Sequence, residues 1–417
     1  MGDFSGAPLL LDTTGVAPED AAATLEAAWR ERRLVALAGP GQRRDLALAL
    51  GPCAGPGEPL GRFGAAVVLG SGGSAGQRHW CLQPLAHLQA AADATADWLL
   101  ARGLEPADCL HLDPLPLHHV SGLLPLVRAR RWGAELGWLA PALMRSAALL
   151  AEACPLPRDR PVLLSLVPTQ LARLLASPAG IDWLAGCAVI WVGGAALPAS
   201  LAEAARRARL PLAPCYGATE TAAMVCALPP ERFLAGGIGC GDPLAGVALR
   251  LDGSTAAVEV RSDRLSPGYL EAGRFLPLPL QPGGWWRSGD AGRIGPQGLE
   301  VLGRLDGALH SGGETVFPER LEERLQAAAA RRGAPLEALL LLARPDPEWG
   351  ERLEALVRPC RGDDGPRLLQ LLQSIVSGWP PAERPRRWHL CPALAPTAAG
   401  KWERGRWQRW LDSLEAL

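Results

Sequence analysis

The chain has 417 residues, 48% of them hydrophobic, and a formal net charge of -1. That length exceeds one ordinary core and predicts two or more domains. The charge balance excludes a nucleic-acid binder held by bulk electrostatics, and charges or prolines break every apolar stretch short of the ~20 residues a membrane helix needs.

The first residues, MGDFSGAPLLLDTTG, are acidic where a signal peptide is basic, which predicts a soluble, cytoplasmic protein with no membrane span. Residues 18–33 read as a helix, followed by Gly/Pro-rich connections. AAVVLG (65–70) reads as a strand running into a loop of small residues, GSGGSAGQRHW (70–80). Such a loop is either a flexible turn or a place where backbone N–H groups and Ser hydroxyls approach phosphate; no GK[ST] follows, so it is not a Walker A loop. Residues 84–103 are strongly helical, with Gly103 as the stop signal. PLPLHHVSGL (114–123) then sets His118 and His119 side by side in an apolar stretch, as core residues, a general base or an aromatic gate.

PVLLSLV (161–167) and AVIWVGG (188–194) read as buried strands, and residues 198–210 as the helix between strands. This alternation predicts α/β layers. YGATET (216–221) offers an aromatic ring to stack on a purine, a glycine for close approach, two hydroxyls and a carboxylate suited to phosphate and Mg²⁺. From about residue 236 to 303 short strands and Gly/Pro turns predict a small β-rich subdomain. A boundary near GRLDG (303–307) separates it from a compact α+β tail, with helices near 318–331 and 366–377 and a strand near 339–343.

Within 283–307, Asp290 suits a ribose diol and Arg304 a ribose or phosphate oxygen; a structural salt bridge between two strand ends explains the same pair. The ten Cys form no CxxC pair and the seven His no HExxH, so neither zinc spacing nor a disulfide framework is present. Lys401, in PTAAGK, is the single lysine among 42 basic residues. A GC-rich coding bias explains that by chance; a slot that takes a compact ammonium and refuses a planar fork explains it by chemistry.

Taken in order, SGGSAGQR, YGATET, GGWWRSGDAGRI, GRLDGALHSGGETVFPERLE, PDPEWGERLEALV and PTAAGK resemble the segments of the adenylate-forming acyl-CoA synthetase superfamily, over residues 65–406. Within it, PLHHVSGL, SLVPTQLARLL (165–175) and the short N-terminus are most similar to the 2-succinylbenzoate–CoA ligases of menaquinone and phylloquinone biosynthesis. The resemblance implies a layered α/β N-terminal adenylation domain over 1–303, carrying the β-rich subdomain at about 236–303. It also implies a small mobile α+β lid over 304–417, hinged near Asp306.

The implied chemistry has two halves. A carboxylate attacks the α-phosphorus of ATP to give an acyl-adenylate, and the CoA thiol then displaces AMP. The resemblance assigns Lys401, Glu220 and His119 to catalysis and the acyl pocket, with Glu220 holding Mg²⁺. It assigns Ser71, Gly72, Gly73, Ser74, Arg78, Gly193, Gly194, Ala195, Tyr216, Gly217, Thr219, Thr221, Asp290 and Arg304 to the nucleotide. Ser311, Gly312, Gly313 and Glu314 fall to the CoA-side loop. The implied partners are a small-molecule carboxylic acid, ATP and CoA, no nucleic acid, with a homodimer left open. Gln77-Arg78 stand where the family has Pro-Lys, so the phosphate loop departs from the pattern. A ligase for another aromatic or medium-chain acid, or a non-catalytic nucleotide or acyl binder, are the alternatives.

Overall fold

The structure, a computed structural model, describes residues 8–51, 63–71, 79–395 and 402–415. The chain divides into two compact units. One comprises the residues up to Leu197 with Leu201–Ser288 and Gly292–Val301; the other comprises Leu302 onward with Pro198–Ser200 and Gly289–Ala291.

In the larger unit a six-stranded sheet runs in the order Ala223–Ala227, Leu212–Ala218, Val189–Val192, Val162–Leu166, Leu110–Asp113, Glu135–Trp138. All its pairings are parallel except the first. A parallel sheet is covered on both faces, and strand side chains alternate between them. Leu110, Leu112, Val162, Leu164 and Ile190 pack in one apolar cluster, while Leu163, Val189 and Trp191 pack in another. On the strand Leu110–Asp113 this alternation sends His111 and Asp113 to the face opposite Leu110 and Leu112.

A second six-stranded sheet has the order Leu9–Asp12, Leu34–Ala38, Ala66–Ser71, His79–Pro84, Gly268–Glu271, Arg274–Pro277. Sequence reasoning expects one helix and connections in the first sixty residues. The structure has that helix, Pro18–Arg30, and adds the strands Leu9–Asp12 and Leu34–Ala38 and the helix Arg43–Leu50. The missed strands are short, mainly apolar runs flanking a helix, which periodicity alone does not separate from buried helix ends. A third, β-only sheet contains Ala248–Leu251, Ala257–Arg261, Trp285–Gly295, Leu280–Gln281 and Gly298–Arg304.

The smaller unit is α+β. Its sheet runs Glu314–Val316, Leu309–Ser311, Gly350–Pro359, Leu336–Asp346, with Arg387–Leu390 parallel to Gly350–Pro359. Leu339 and Leu341 pack with Leu321 and Leu325 of the helix Pro318–Arg331. Leu340 and Leu342, pointing the other way, pack with Trp407 and Leu411 of the helix Arg404–Glu415. The helix Gly365–Val376 opens on Asp364, whose carboxylate accepts the Arg367 N–H at 3.1 Å. Among the described residues no helix is long and apolar enough to cross a membrane.

Candidate active site

Parallel strands place their carboxyl ends at one end of a sheet, and the loops that leave those ends are where open α/β sheets bind ligands. The loop after Leu110–Asp113 carries His118 and His119. The loop after Val189–Val192 begins Gly193, Gly194, Ala195. Leu212–Ala218 itself ends in Tyr216 and Gly217 and runs into Thr219, Glu220 and Thr221. Three sequence segments far apart in the chain thus leave the same end of one sheet.

The turn Thr219–Thr221 is built from its own side chains. The Thr221 hydroxyl accepts the Ala218 N–H at 2.9 Å and lies 3.0 and 2.6 Å from the Ala218 and Ala223 carbonyls. It is buried and engaged inside the turn. Gly217 is required here, because a Cβ would collide with the Ala223 carbonyl. The turn is also pinned from the second sheet. Gln83 Nε2 donates to the Thr219 carbonyl at 2.6 Å, and the Ser266 N–H donates to the Glu220 carbonyl at 2.7 Å. The Glu220 side chain is 8% exposed, and Oε1 accepts the Tyr269 hydroxyl at 3.1 Å. Burial, then the nearby carboxylate, pushes the Tyr269 phenol well up, so it stays a donor.

Sequence reasoning missed Tyr269 and Gln83. A signal for Tyr269 exists: the chain has two tyrosines, and they are Tyr216 and Tyr269. Rarity marks them as it marks Lys401.

His119 is exposed and stands at the N-terminus of the helix Val120–Trp132. His118 is buried, its ring 4.5 Å from that of His119, with Nδ1 3.0 Å from the Thr13 hydroxyl. That hydroxyl donates to the Ala38 carbonyl at 3.0 Å, so it accepts from Nδ1–H and fixes the His118 tautomer. Gly122 has no room for a Cβ against the Pro116 and Leu115 carbonyls. Chain entry and helix start are therefore locked together at His119.

Arg128, on the same helix, is 4% exposed and lies over the Trp191 ring at 4.8 Å. Nearby, His111, Asp113 and Arg264 are equally buried. His111 Nε2, Asp113 Oδ2, Arg128 Nε and Arg264 Nε are buried without a hydrogen-bond partner. Asp113 Oδ1 accepts the Leu115 N–H at 2.9 Å, and Arg264 donates to the Met224 carbonyl at 2.8 Å. Burial dominates every titration here. It lowers His111 to about 3, raises Asp113 well above the carboxylate range and draws Arg128 and Arg264 down to about 10.

Ser71 ends the strand Ala66–Ser71, buried and paired in register with His79. Gly72, Gly73, Ser74 and Arg78 lie outside the described residues, as does Lys401. In the smaller unit Arg304 lies 3.5 Å from Asp290 and chelates Asp306 at 3.3 Å through Nε and Nη2. A Cβ on Gly289 would crowd that guanidinium. The salt bridge thus runs from the end of Gly298–Arg304 to the middle of Trp285–Gly295 rather than between two strand ends, and Asp290 has Arg304 as a partner. Ser311, Gly312, Gly313 and Glu314 form a tight turn between Leu309–Ser311 and Glu314–Val316, both glycines at positive φ. Ser311 is fully buried with its hydroxyl unpartnered, and Gly312 abuts the Trp349 ring.

No group of three or more His, Cys, Asp or Glu among the described residues forms a metal cage. Mg²⁺ that travels with phosphates keeps its waters and needs one or two carboxylates, a demand that Glu220 fits.

Residues 84–269 match the AMP-binding enzyme family. A 2-succinylbenzoate–CoA ligase of Salmonella typhimurium is 29% identical over 247 residues, which span 59% of this chain and 50% of that protein. The chain thus aligns with about half the length of that relative. A probable 2-succinylbenzoate–CoA ligase of Mycobacterium tuberculosis is 28% identical over 81% of this chain and 82% of its own. The o-succinylbenzoate CoA synthetase of Bacillus subtilis, solved with its acyl-adenylate intermediate, superimposes with a TM-score of 0.71 at 18% identity. That match covers 97% of this chain and 88% of the other, and it shows a shared fold.

Proposed function

We propose that this chain, a relative of the 2-succinylbenzoate–CoA ligases built around an AMP-binding enzyme domain, is itself an AMP-forming acid–CoA ligase with 2-succinylbenzoate as its acid. The observation that carries the reading is the convergence of His119, Gly193–Ala195 and Tyr216–Thr221 at the carboxyl ends of one parallel sheet.

In the first half-reaction a substrate carboxylate oxygen bonds to the α-phosphorus of ATP and pyrophosphate leaves. Tyr216 stacks on adenine, and Gly193, Gly194 and Ala195 border it. Thr219 faces phosphate, and Thr221 shapes the turn that holds Glu220. Glu220, anchored by Tyr269, is the carboxylate for Mg²⁺, which when bound neutralises phosphate charge. Asp290 takes the ribose hydroxyls and Arg304 orients it. Ser71, with Gly72, Gly73, Ser74 and Arg78, serves the pyrophosphate side. Lys401 places one ammonium between the attacking carboxylate and the α-phosphate; preorganised charge of this kind contributes several kcal/mol to a transition state. In the second half-reaction the CoA thiolate bonds to the acyl carbon and AMP leaves, with Ser311–Glu314 beside the pantetheine arm and Asp306 at the hinge.

2-Succinylbenzoate brings a second carboxylate that must leave water, and a buried carboxylate needs a cation. Arg128 supports that role. It is desolvated, its Nε lacks a partner, and it sits on the helix that His119 begins.

The test is mass spectrometry of the protein with ATP, Mg²⁺, CoA and a panel of acids. A 2-succinylbenzoyl-CoA product with AMP, preferred over benzoate and fatty acids, is expected, and Lys401→Ala should lower adenylation about 10²–10³-fold. A different acyl-CoA product sinks the substrate assignment. No acyl-CoA and no AMP from any acid sinks the enzyme.

A further inference from the structure

Lys401 is followed after two residues by Arg404, the first residue of the helix Arg404–Glu415. Arg404 belongs to a clamp. Its Nη2 donates to both carboxylate oxygens of Glu322, at 3.0 and 3.1 Å, and its Nη1 donates to the Leu341 carbonyl at 2.8 Å. Glu322 Oε1 in turn accepts the Leu341 N–H at 2.8 Å. Leu341 lies on Leu336–Asp346, an edge strand. Its N–H and C=O are outward groups that an edge leaves unpaired, and here the two side chains take both. Glu322 is 6% exposed and stands on the helix Pro318–Arg331. Three elements therefore meet at one charged pair. Trp402, the immediate neighbour of Lys401, packs with Trp407 and Leu411 against the same strand.

Three residues of chain span at most about 11 Å, so the Lys401 Cα is tethered within that radius of the Arg404 Cα. Whatever fixes Arg404 fixes the anchor of Lys401. We infer that Arg404 and Glu322 are positioning residues for Lys401 in the adenylation half-reaction. This rests on the ligase reading above. The pair does not touch substrate. It holds the root of the chain that presents the ammonium, and misplacement of a catalytic group by about 1 Å can cost on the order of 100-fold.

The experiment measures the two half-reactions separately: ATP–pyrophosphate exchange, and thioester formation from supplied acyl-adenylate and CoA. The variants are Arg404→Met and the double variant Glu322→Leu with Arg404→Met, which removes both charges and so spares the fold an unpaired one. Asp412→Asn is the control. It cuts the ion pair that ties the same helix to Arg344, away from the clamp. Adenylation should fall roughly 10–100-fold in both clamp variants while thioester formation stays within about twofold, and Asp412→Asn should match the parent. Unchanged adenylation, an equal fall in both half-reactions, or an equal loss in Asp412→Asn overturns the inference. If the parent protein adenylates no acid, the ligase reading fails and the clamp is judged by Lys401 alone. As the single lysine, its labelling by an amine-reactive ester is read by peptide mass. A rate changed at least threefold by Arg404→Met upholds the clamp, and an unchanged rate overturns it.

Discussion

Each unit holds a cluster of buried ionisable groups, and the two clusters are satisfied differently. In the smaller one, Glu322 meets Arg404 and an edge-strand peptide group, and every oxygen of the carboxylate is engaged. In the larger one, His111, Asp113, Arg128 and Arg264 are buried as deeply, yet each keeps a polar atom without a partner. A buried orphan costs about 1–3 kcal/mol. Four close together are a standing expense that packing alone does not require. The Glu322–Arg404 pair fixes geometry; in the second cluster burial keeps His111 and Asp113 neutral and leaves Arg128 and Arg264 as the charged members.

That contrast can be broken by mutation. The largest effect is expected where the charge is already paired. Arg404→Met alone strands Glu322 and should cost about 3–5 kcal/mol, read by denaturant unfolding of the smaller unit; the double variant that removes both charges should recover most of it. If the single change is as mild as the double, the pair is not a clamp.

The next effect separates function from stability. Arg128→Met removes an under-partnered cation and should leave the melting temperature unchanged or higher. It should raise KM for a dicarboxylate acid about 10-fold or more, the cost of one charge-assisted contact, with little change in KM for ATP. A lower melting temperature with an unchanged KM would make Arg128 structural.

The smallest effect is a pH dependence. Because burial raises Asp113, the folded chain keeps a proton that the unfolded chain releases above about pH 3.8. Stability from this group therefore falls as pH rises through that value toward the raised one. Asp113→Asn keeps an acceptor for the Leu115 N–H and should raise the melting temperature by a few degrees at neutral pH. Near pH 4 the gain should vanish. An equal gain at both pH values would trace it to packing.

The sequence made some of this legible and hid the rest for physical reasons. VLLSL and VIWV announced buried strands because a strand covered on both faces is apolar throughout, and both are strands in the structure. LHLD, residues 110–113, does not stand out as a strand, since one polar and one charged residue among four give it neither an apolar run nor a sustained alternation, although all four are buried. YGATET showed itself through glycine and hydroxyl chemistry. Its supports, Gln83 and Tyr269, lie more than a hundred and about fifty residues away and share no motif with it. Orphaned atoms such as Asp113 Oδ2 have no sequence signature at all, because being unpartnered is a property of neighbours. The clamp falls between these cases. Arg404 stands in a stretch with a visible motif, but its partner is an ordinary helical glutamate.

The second sheet has a consequence for how the protein is made. Its strand His79–Pro84 finds a neighbour, Ala66–Ser71, as soon as both are synthesised, but its other edge pairs with Gly268–Glu271, about 190 residues later. At 5–20 residues per second a ribosome needs roughly 10–40 s to supply that strand. For that time the edge at Trp80, Cys81 and Leu82 offers free peptide groups flanked by apolar side chains to any other nascent chain. Slow translation between these points, or truncation before Gly268, therefore favours aggregation, and a chaperone that shields strand edges during synthesis should raise the yield of soluble protein more than one that acts after release.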